Sequence, residues 1–325
     1  MDFSPKKFAE YLYFEVWEGI FNPSTILTQE GIMKLKTVMS MLMAAAMTFS
    51  LTAADTAAKD AAAQPQAVKK AKAKKAQARK VAMPADGGLK AATTAQARQN
   101  PNAAKKTGWH KHWDAKRKQL AKQKNDIQIV FIGDSITHFW NRKPNPDGPK
   151  PRLYGGDATY NKYFSNYRLL NLGYSGDRTN HTLWMVNQSG FMDNIKPKLV
   201  VVMIGTNNFG GRNPMADAPA TAAAIKLIVE SILAKQPDTK VLLFGIFPRG
   251  AKAKNGFRTK IKQTNDIICK LANDKNVFYC DITDKLLEKD GSLSAEVMPD
   301  YLHPADKGYE VWAQAIMPYV KRFVD

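Results

Sequence analysis

The run VFIGDSITHFW, Val130 to Trp140, begins like a buried strand and stops at Gly133-Asp134-Ser135. Val130, Phe131 and Ile132 are β-branched or aromatic with no polar residue between them, the composition of a strand covered on both faces. A serine set directly after such a strand has two readings. It caps the helix that follows, or it is a nucleophile held at the edge of a sheet. What the rest of the chain brings to that edge decides between them.

Working outward, IQIVFI (Ile127 to Ile132) is followed by four runs of the same kind. These are LLNLG (Leu169 to Gly173), KLVVVMIG (Lys198 to Gly205), KVLLFGIF (Lys240 to Phe247) and NVFYCDI (Asn276 to Ile282). Helical apolar spacing lies between and after them, over Thr179 to Gln188, Ala216 to Ala234, Phe257 to Asn273 and Ala305 to Phe323. Strands alternating with helices predict an α/β fold: a three-layer α/β/α domain on a five-stranded parallel sheet. Ligands of such sheets bind beyond the carboxyl ends of the strands. The residues just after each strand are therefore the candidates for function.

Those residues are Gly133-Asp134-Ser135, GYSGDRT (Gly173 to Thr179), GTNNFG (Gly205 to Gly210), PRG (Pro248 to Gly250) and PDYLHP (Pro299 to Pro304). Singly, each has a bland explanation as a cap, a turn or a surface histidine. Together on one sheet edge they supply a hydroxyl, a histidine with a nearby carboxylate, backbone donors and a side-chain amide. Those are the parts of acyl transfer through a serine. His138, three residues past Ser135, is the rival base, but no carboxylate is as clearly placed to orient it.

The blocks GDSIT, GYSGD, GTNN and DYLH, in this order, resemble the motif blocks of the SGNH (GDSL-type) hydrolase superfamily. SGDRTNHTLW, IKPKLVVVMIGTNN, FPRG and LHPADKGYEVWAQAI resemble in particular the catalytic-subunit branch of platelet-activating-factor acetylhydrolase and its bacterial relatives. The resemblance implies a flavodoxin-like fold and a carboxylic ester hydrolase with no metal and no cofactor. It implies Ser135 as nucleophile, His303 as base and Asp300 as the carboxylate that orients it. It also implies an oxyanion hole from the Ser135 and Gly176 N–H groups and the Asn207 amide. Asp134 is read as a turn and helix-start hydrogen bonder. The third block reads Gly-Thr-Asn-Asn rather than the commoner Gly-x-Asn-Asp, as it does in the acetylhydrolase branch. Met185 stands where the branch often has Arg, so one salt bridge is either missing or supplied by Arg178.

The acyl group this implies is short, most simply acetyl, and the export signal described below favours an O-acetylated carbohydrate as the ester. The segment Asn141 to Tyr163 is rich in Pro and Gly and reads as a long loop over the nucleophile. Either it is a solvated insertion or it shapes the leaving-group side, with Trp140, Tyr154 and Tyr160 as sugar-stacking rings and Arg178 as a further substrate contact. Two alternatives keep the fold: a lipid-directed acylhydrolase or thioesterase with a long acyl trough, and a non-catalytic carbohydrate-binding protein. The latter would be expected to lack the serine, the histidine or the amide, and all three are present.

The first third of the chain differs in kind. From Met33, Lys34 and Lys36 precede an apolar stretch, Val38 to Leu51, and the small residues Thr52-Ala53-Ala54. That is the layout of a secretory signal peptide, with an apolar core short for a membrane span. The expected organisation is a gene-model extension over 1–32, a signal peptide over 33–54, a disordered Ala/Lys-rich tether over 55–106 and a catalytic domain over 107–325. Part of the net charge of +19 belongs to the tether, which lacks the interleaved aromatics of a base-stacking surface, so no specific nucleic-acid partner is expected. No stable membrane span remains after signal cleavage. The oligomeric state is left open, a homodimer included. Cys269 and Cys280 read as two buried free thiols, the alternative being an export-compartment disulfide.

Overall fold

Alternate residues of each strand run go to opposite faces of one sheet, and both faces are apolar. The computed structural model describes residues 83–123, 126–148, 151–193, 195–210 and 214–325, all within one unit, Lys80–Asp325. The strands are β1 (Ile129–Gly133), β2 (Leu169–Gly173), β3 (Leu199–Met203), β4 (Lys240–Phe244) and β5 (Val277–Cys280), all parallel, in the order β2-β1-β3-β4-β5. The helices are α1 (Leu89–Thr93), α2 (Gly108–Gln123), α3 (Ser135–His138), α4 (Asp157–Phe164), α5 (Thr179–Gln188), α6 (Thr206–Phe209), α7 (Ala218–Lys235), α8 (Gly256–Ile268), α9 (Thr283–Leu286) and α10 (Asp306–Phe323).

Val130, Ile132, Val200, Val202, Val241 and Leu243 pack with α2, α5, α7 and α8 through Trp113, Val186, Ile225, Ile228 and Ile261. Ile129, Phe131, Val201, Met203, Leu242 and Phe244 meet Phe164 of α4 and Tyr309, Trp312 and Ile316 of α10 on the other face. This two-sided cover is why the strand runs do not alternate polar and apolar. The five-stranded α/β/α expectation is met. Helix starts follow the caps: the Asp217 carboxylate accepts the Ala220 N–H at 2.9 Å and Asn255 accepts from Phe257 and Arg258.

The order places the switch point between β1 and β3, where the chain leaves first for one side of the sheet and then for the other. Register there pairs Ile129 with both Leu169 and Leu199, so the strands end level at Gly133, Gly173 and Met203. The loops after β1, β2 and β3 thus converge on one crevice.

Three expectations need correction. The segment 83–106 is not a free tether: Ala92 of α1 is buried against Ala216, Ala220 and Ala224, and Asp217 N–H donates to Gly87 O at 2.8 Å. Alanines facing alanines let two helices approach closely, and composition does not separate that from a solvated Ala-rich run. The stretch 141–163 is not all loop, because Asp157 opens α4, whose Thr159 N–H and hydroxyl donate to the Asp306 carboxylate at the start of α10. Cys269 and Cys280 are unpaired, as read, but only partly buried. The proposed extension, the signal peptide and the tether as far as residue 82 lie outside the described residues. Among the described residues no helix is long and apolar enough to cross a membrane.

Candidate active site

Ser135 is the first residue of α3, and Asp134 before it is the cap, its Oδ1 accepting the Ile136 N–H at 3.0 Å. The cap role is thus taken by the neighbour, and the Ser135 hydroxyl is turned elsewhere. The strand-to-helix corner needs Gly133: a Cβ there would lie 2.2 Å from Thr137 Oγ1 and 2.4 Å from Met203 O. Buried Tyr309 of α10 fastens the corner from below, donating its hydroxyl to Ile136 O at 2.7 Å.

His303 Nε2 lies 2.9 Å from Ser135 Oγ, and His303 Nδ1 lies 2.6 Å from Asp300 Oδ2. Asp300 Oδ1 also accepts the backbone N–H of His303 at 2.7 Å and of Leu302 at 3.1 Å. Burial raises the Asp300 carboxyl, but the hydrogen bonds from the His303 ring and backbone outweigh it and hold it below the usual carboxylate range. The turn that closes this pair has Tyr301 in the left-handed region, φ 57°, held by Tyr301 N–H to Met298 O and Gly250 N–H to Tyr301 O, both 2.8 Å. A carboxylate behind an imidazole, with the imidazole on a hydroxyl, is the arrangement that makes serine nucleophilic at neutral pH.

Gly176 sits in a left-handed turn after β2, φ 80°, and no acceptor among the described residues takes its N–H. Asn207, in α6 after β3, donates one amide proton to Asp177 O at 2.9 Å, leaving the other for a substrate. Its neighbour Asn208 has a different task. Fully buried, it accepts the Thr179 N–H at 3.1 Å and donates to the hydroxyls of Thr179 at 2.8 Å and Thr221 at 3.2 Å. A neutral amide does both, whereas a carboxylate could not donate. It ties the loop bearing Gly176 to the helix bearing Asn207.

The rival base is engaged elsewhere. His138 Nδ1 accepts the Ser175 N–H at 3.2 Å, and its ring stacks on His112 at 3.9 Å between centroids. Burial, with the charge of nearby cations, pushes the two imidazoles down to about 3 and about 4, so both are neutral at ordinary pH. Asp134 is fully buried, and burial raises its carboxyl to about 6 against the pull of the Ile136 N–H, His303 and Arg249.

Of the expected substrate rings, Tyr154 alone stands at the site. It lies 4.7 Å from the His303 ring and stacks on Phe139 at 5.3 Å, while Gly155 N–H donates to Pro304 O at 3.1 Å. Trp140 is corrected to core: it has no exposed surface and stacks on Trp312 at 4.2 Å. Tyr160 is corrected as well, since it packs beside Phe164 on the lower core and burial raises its phenol to about 12. Tyr160 belongs to a helical spacing with Phe164 that the loop assignment hid, whereas Trp140 lies in the turn after α3. Arg178 lines a cavity of about 330 Å³ with Gly176 and Asn207. Arg98 and Arg249 line it too. Arg249 was legible in the Pro-Arg-Gly after β4, whereas Arg98 carried no signal in its Ala/Gln-rich surroundings. Met185, which stands where the resembled branch often has Arg, is buried in the core.

The GDSL-like lipase/acylhydrolase family model matches residues 131–311, more than half of the chain. The chain is 31% identical over 198 residues to platelet-activating factor acetylhydrolase IB subunit alpha1 of Homo sapiens, covering 61% of this chain and 77% of that one. It is 30% identical over 212 residues to the alpha2 subunit of Rattus norvegicus, covering 64% and 83%. The fold is shared with the crystal structure of a candidate acylhydrolase from Bacteroides fragilis NCTC 9343, with a TM-score of 0.53 at 20% identity over 67% of this chain and 99% of that one. This chain accordingly belongs to the GDSL-like lipase/acylhydrolase family and is a carboxylic ester hydrolase.

Proposed function

We propose that the protein is an exported serine esterase that removes acetyl groups from O-acetylated carbohydrate through an acyl-serine intermediate. The observation that carries this reading is the continuous relay from Asp300 through His303 to Ser135, at 2.6 and 2.9 Å. Ser135 Oγ attacks the ester carbonyl while His303 Nε2 takes its proton, and Asp300 stabilises the imidazolium through Nδ1–H. The oxyanion is held by the N–H groups of Ser135 and Gly176 and by the Asn207 amide. His303 then protonates the departing alcohol, and water resolves the acyl-enzyme by the same route.

The leaving alcohol has to lie beside His303, the group that protonates it. There the partly exposed Tyr154 ring, backed by the buried Phe139, offers an aromatic surface of the kind that pyranose faces stack on. Support for acetyl comes from the relatives, which are acetylhydrolases by name. Support for export comes from the layout of Met33 to Ala54.

The test compares wild type with Ser135→Ala on acetyl, butyryl and longer aryl esters, then on acetylated glycans. Wild type should favour acetyl and release acetate from the glycans, and Ser135→Ala should do neither. Equal rates in the two proteins would end the reading. N-terminal sequencing of the secreted chain should begin near Asp55, and a mature protein retaining Phe14 or Trp17 would count against export from Met33.

A further inference from the structure

Beside the oxyanion groups Gly176 and Asn207 the structure holds a cluster of cations that the relay does not use. The cavity of about 330 Å³ there is lined by Arg98, Arg178, Arg249 and His181, and among the described residues no carboxylate lines it. The three arginines come from separate parts of the chain: the N-terminal segment, the loop after β2 and the loop after β4. Each is held. Arg98 donates to Gly176 O and stands 3.7 Å from Asp177 Oδ1. Arg249 donates to Thr206 O at 3.3 Å and lies over the Phe257 ring at 4.2 Å. Arg178 opens α5 beside them.

The buried Asp177 carboxylate offsets part of this charge at Arg98, and Asp134 and Asp300 act on Arg249. Burial, with the charges of Arg98 and Arg178, pushes the His181 imidazole down to about 4. Three guanidiniums held at one cavity offer fixed, charged donors suited to an anion. Arg178 and His181 also line a second hollow of about 510 Å³ along α1, whose other charged lining residues are Lys90 and Asp86.

We propose that this cluster is an anion subsite of the esterase, so that the preferred substrates are acetyl esters carrying a carboxylate or phosphate close to the scissile bond. The inference rests on the esterase reading above and narrows its substrate to the acidic members of the class. A carboxylate of an acidic sugar and a phosphate of a glycerol headgroup offer the same chemistry to the arginines.

The test measures kcat/KM of the full chain on two matched pairs: O-acetylated glucuronic acid against its uncharged methyl ester, and acetylated glycerol 3-phosphate against acetylated glycerol. In at least one pair the charged member should be favoured by about tenfold or more, as expected for charge-assisted hydrogen bonds. The pair that shows it identifies the source of the anion. The preference should shrink with added salt and fall toward unity in Arg178→Gln and Arg249→Gln, with the neutral esters changed less. Equal kcat/KM for charged and neutral members, with hydrolysis still lost in Ser135→Ala, overturns the subsite and leaves the esterase reading standing. If none of the four esters is cleaved, the esterase reading has failed instead. Calorimetry with glucuronate and glycerol phosphate then decides the subsite: binding weakened by the arginine substitutions supports it, and no binding overturns it.

Discussion

Asp300 holds His303 twice, through Nδ1 at 2.6 Å and through the backbone N–H at 2.7 Å, so one carboxylate fixes both the ring and the loop that carries it. The two contacts separate chemically. Asp300→Asn keeps an acceptor for the backbone but loses the charge that stabilises the imidazolium. It should fold normally and lose roughly 10³- to 10⁴-fold in kcat on an aryl acetate. A loss below about tenfold would show that the carboxylate does not serve the histidine.

Asn207→Ala removes one oxyanion donor. Turnover should fall by about 10² to 10³ with KM little changed, because the bond strengthens as charge builds on the oxygen. Steady-state kinetics on the same ester check the split.

Asn208→Ala tests the neighbouring amide as a tie and not as a donor to substrate. It strands the buried Thr179 N–H and leaves two buried hydroxyls without this partner, so unfolding in urea should show a loss of roughly 2–4 kcal/mol. Asn208→Asp should be no better, since it buries a carboxylate that cannot donate to the Thr179 hydroxyl, whose own proton goes to Ala92 O.

The aromatic residues divide into core and site. Trp140→Ala should cost roughly 3–5 kcal/mol of stability by emptying a space walled by Phe131, Phe164 and Trp312. Tyr154→Ala should leave the urea midpoint nearly unchanged and raise KM for acetylated sugars several-fold. Thermal melts and kinetics on both variants distinguish the two roles.

Asp134 sets a pH dependence whose sign is fixed by burial. Its carboxyl goes from 3.8 when unfolded to about 6 when folded, so its contribution to stability is greatest below about pH 4 and is lost as pH rises through 6. The shift corresponds to roughly 3 kcal/mol. Asp134→Asn keeps the acceptor for Ile136 and removes the ionisation, so its stability relative to wild type should rise by up to that amount between about pH 4 and pH 7. The neutral pair His112 and His138 acts in the opposite direction, destabilising below about 6.5, but is common to both proteins and cancels in the difference. A difference that stays flat with pH would show that Asp134 is already ionised.

Much of this protein was legible in the order of its residues. A strand buried on both faces needs apolar residues throughout, so the five runs declared a covered parallel sheet, and the ends of those runs declared where its ligand edge lies. Ser135, Asp300, His303, Gly176 and Asn207 each lie just after a strand or just before the last helix, and it was the resemblance of their blocks to a hydrolase family that implied a role for each. Local signals then ran out. Ala92 and Trp140 were misread, one as tether and one as a substrate ring, because an alanine or a tryptophan is core or surface according to what faces it. Arg98 and the guanidinium cluster were invisible for the same reason, since their electrostatic meaning exists only where 98, 178 and 249 meet. Distance along the chain determined the strands and the blocks after them. Which charges share a cavity, which imidazole reaches the serine and which is stacked away were decided by packing, because Coulomb and hydrogen-bond energies depend on separations of a few ångströms that only the folded chain sets.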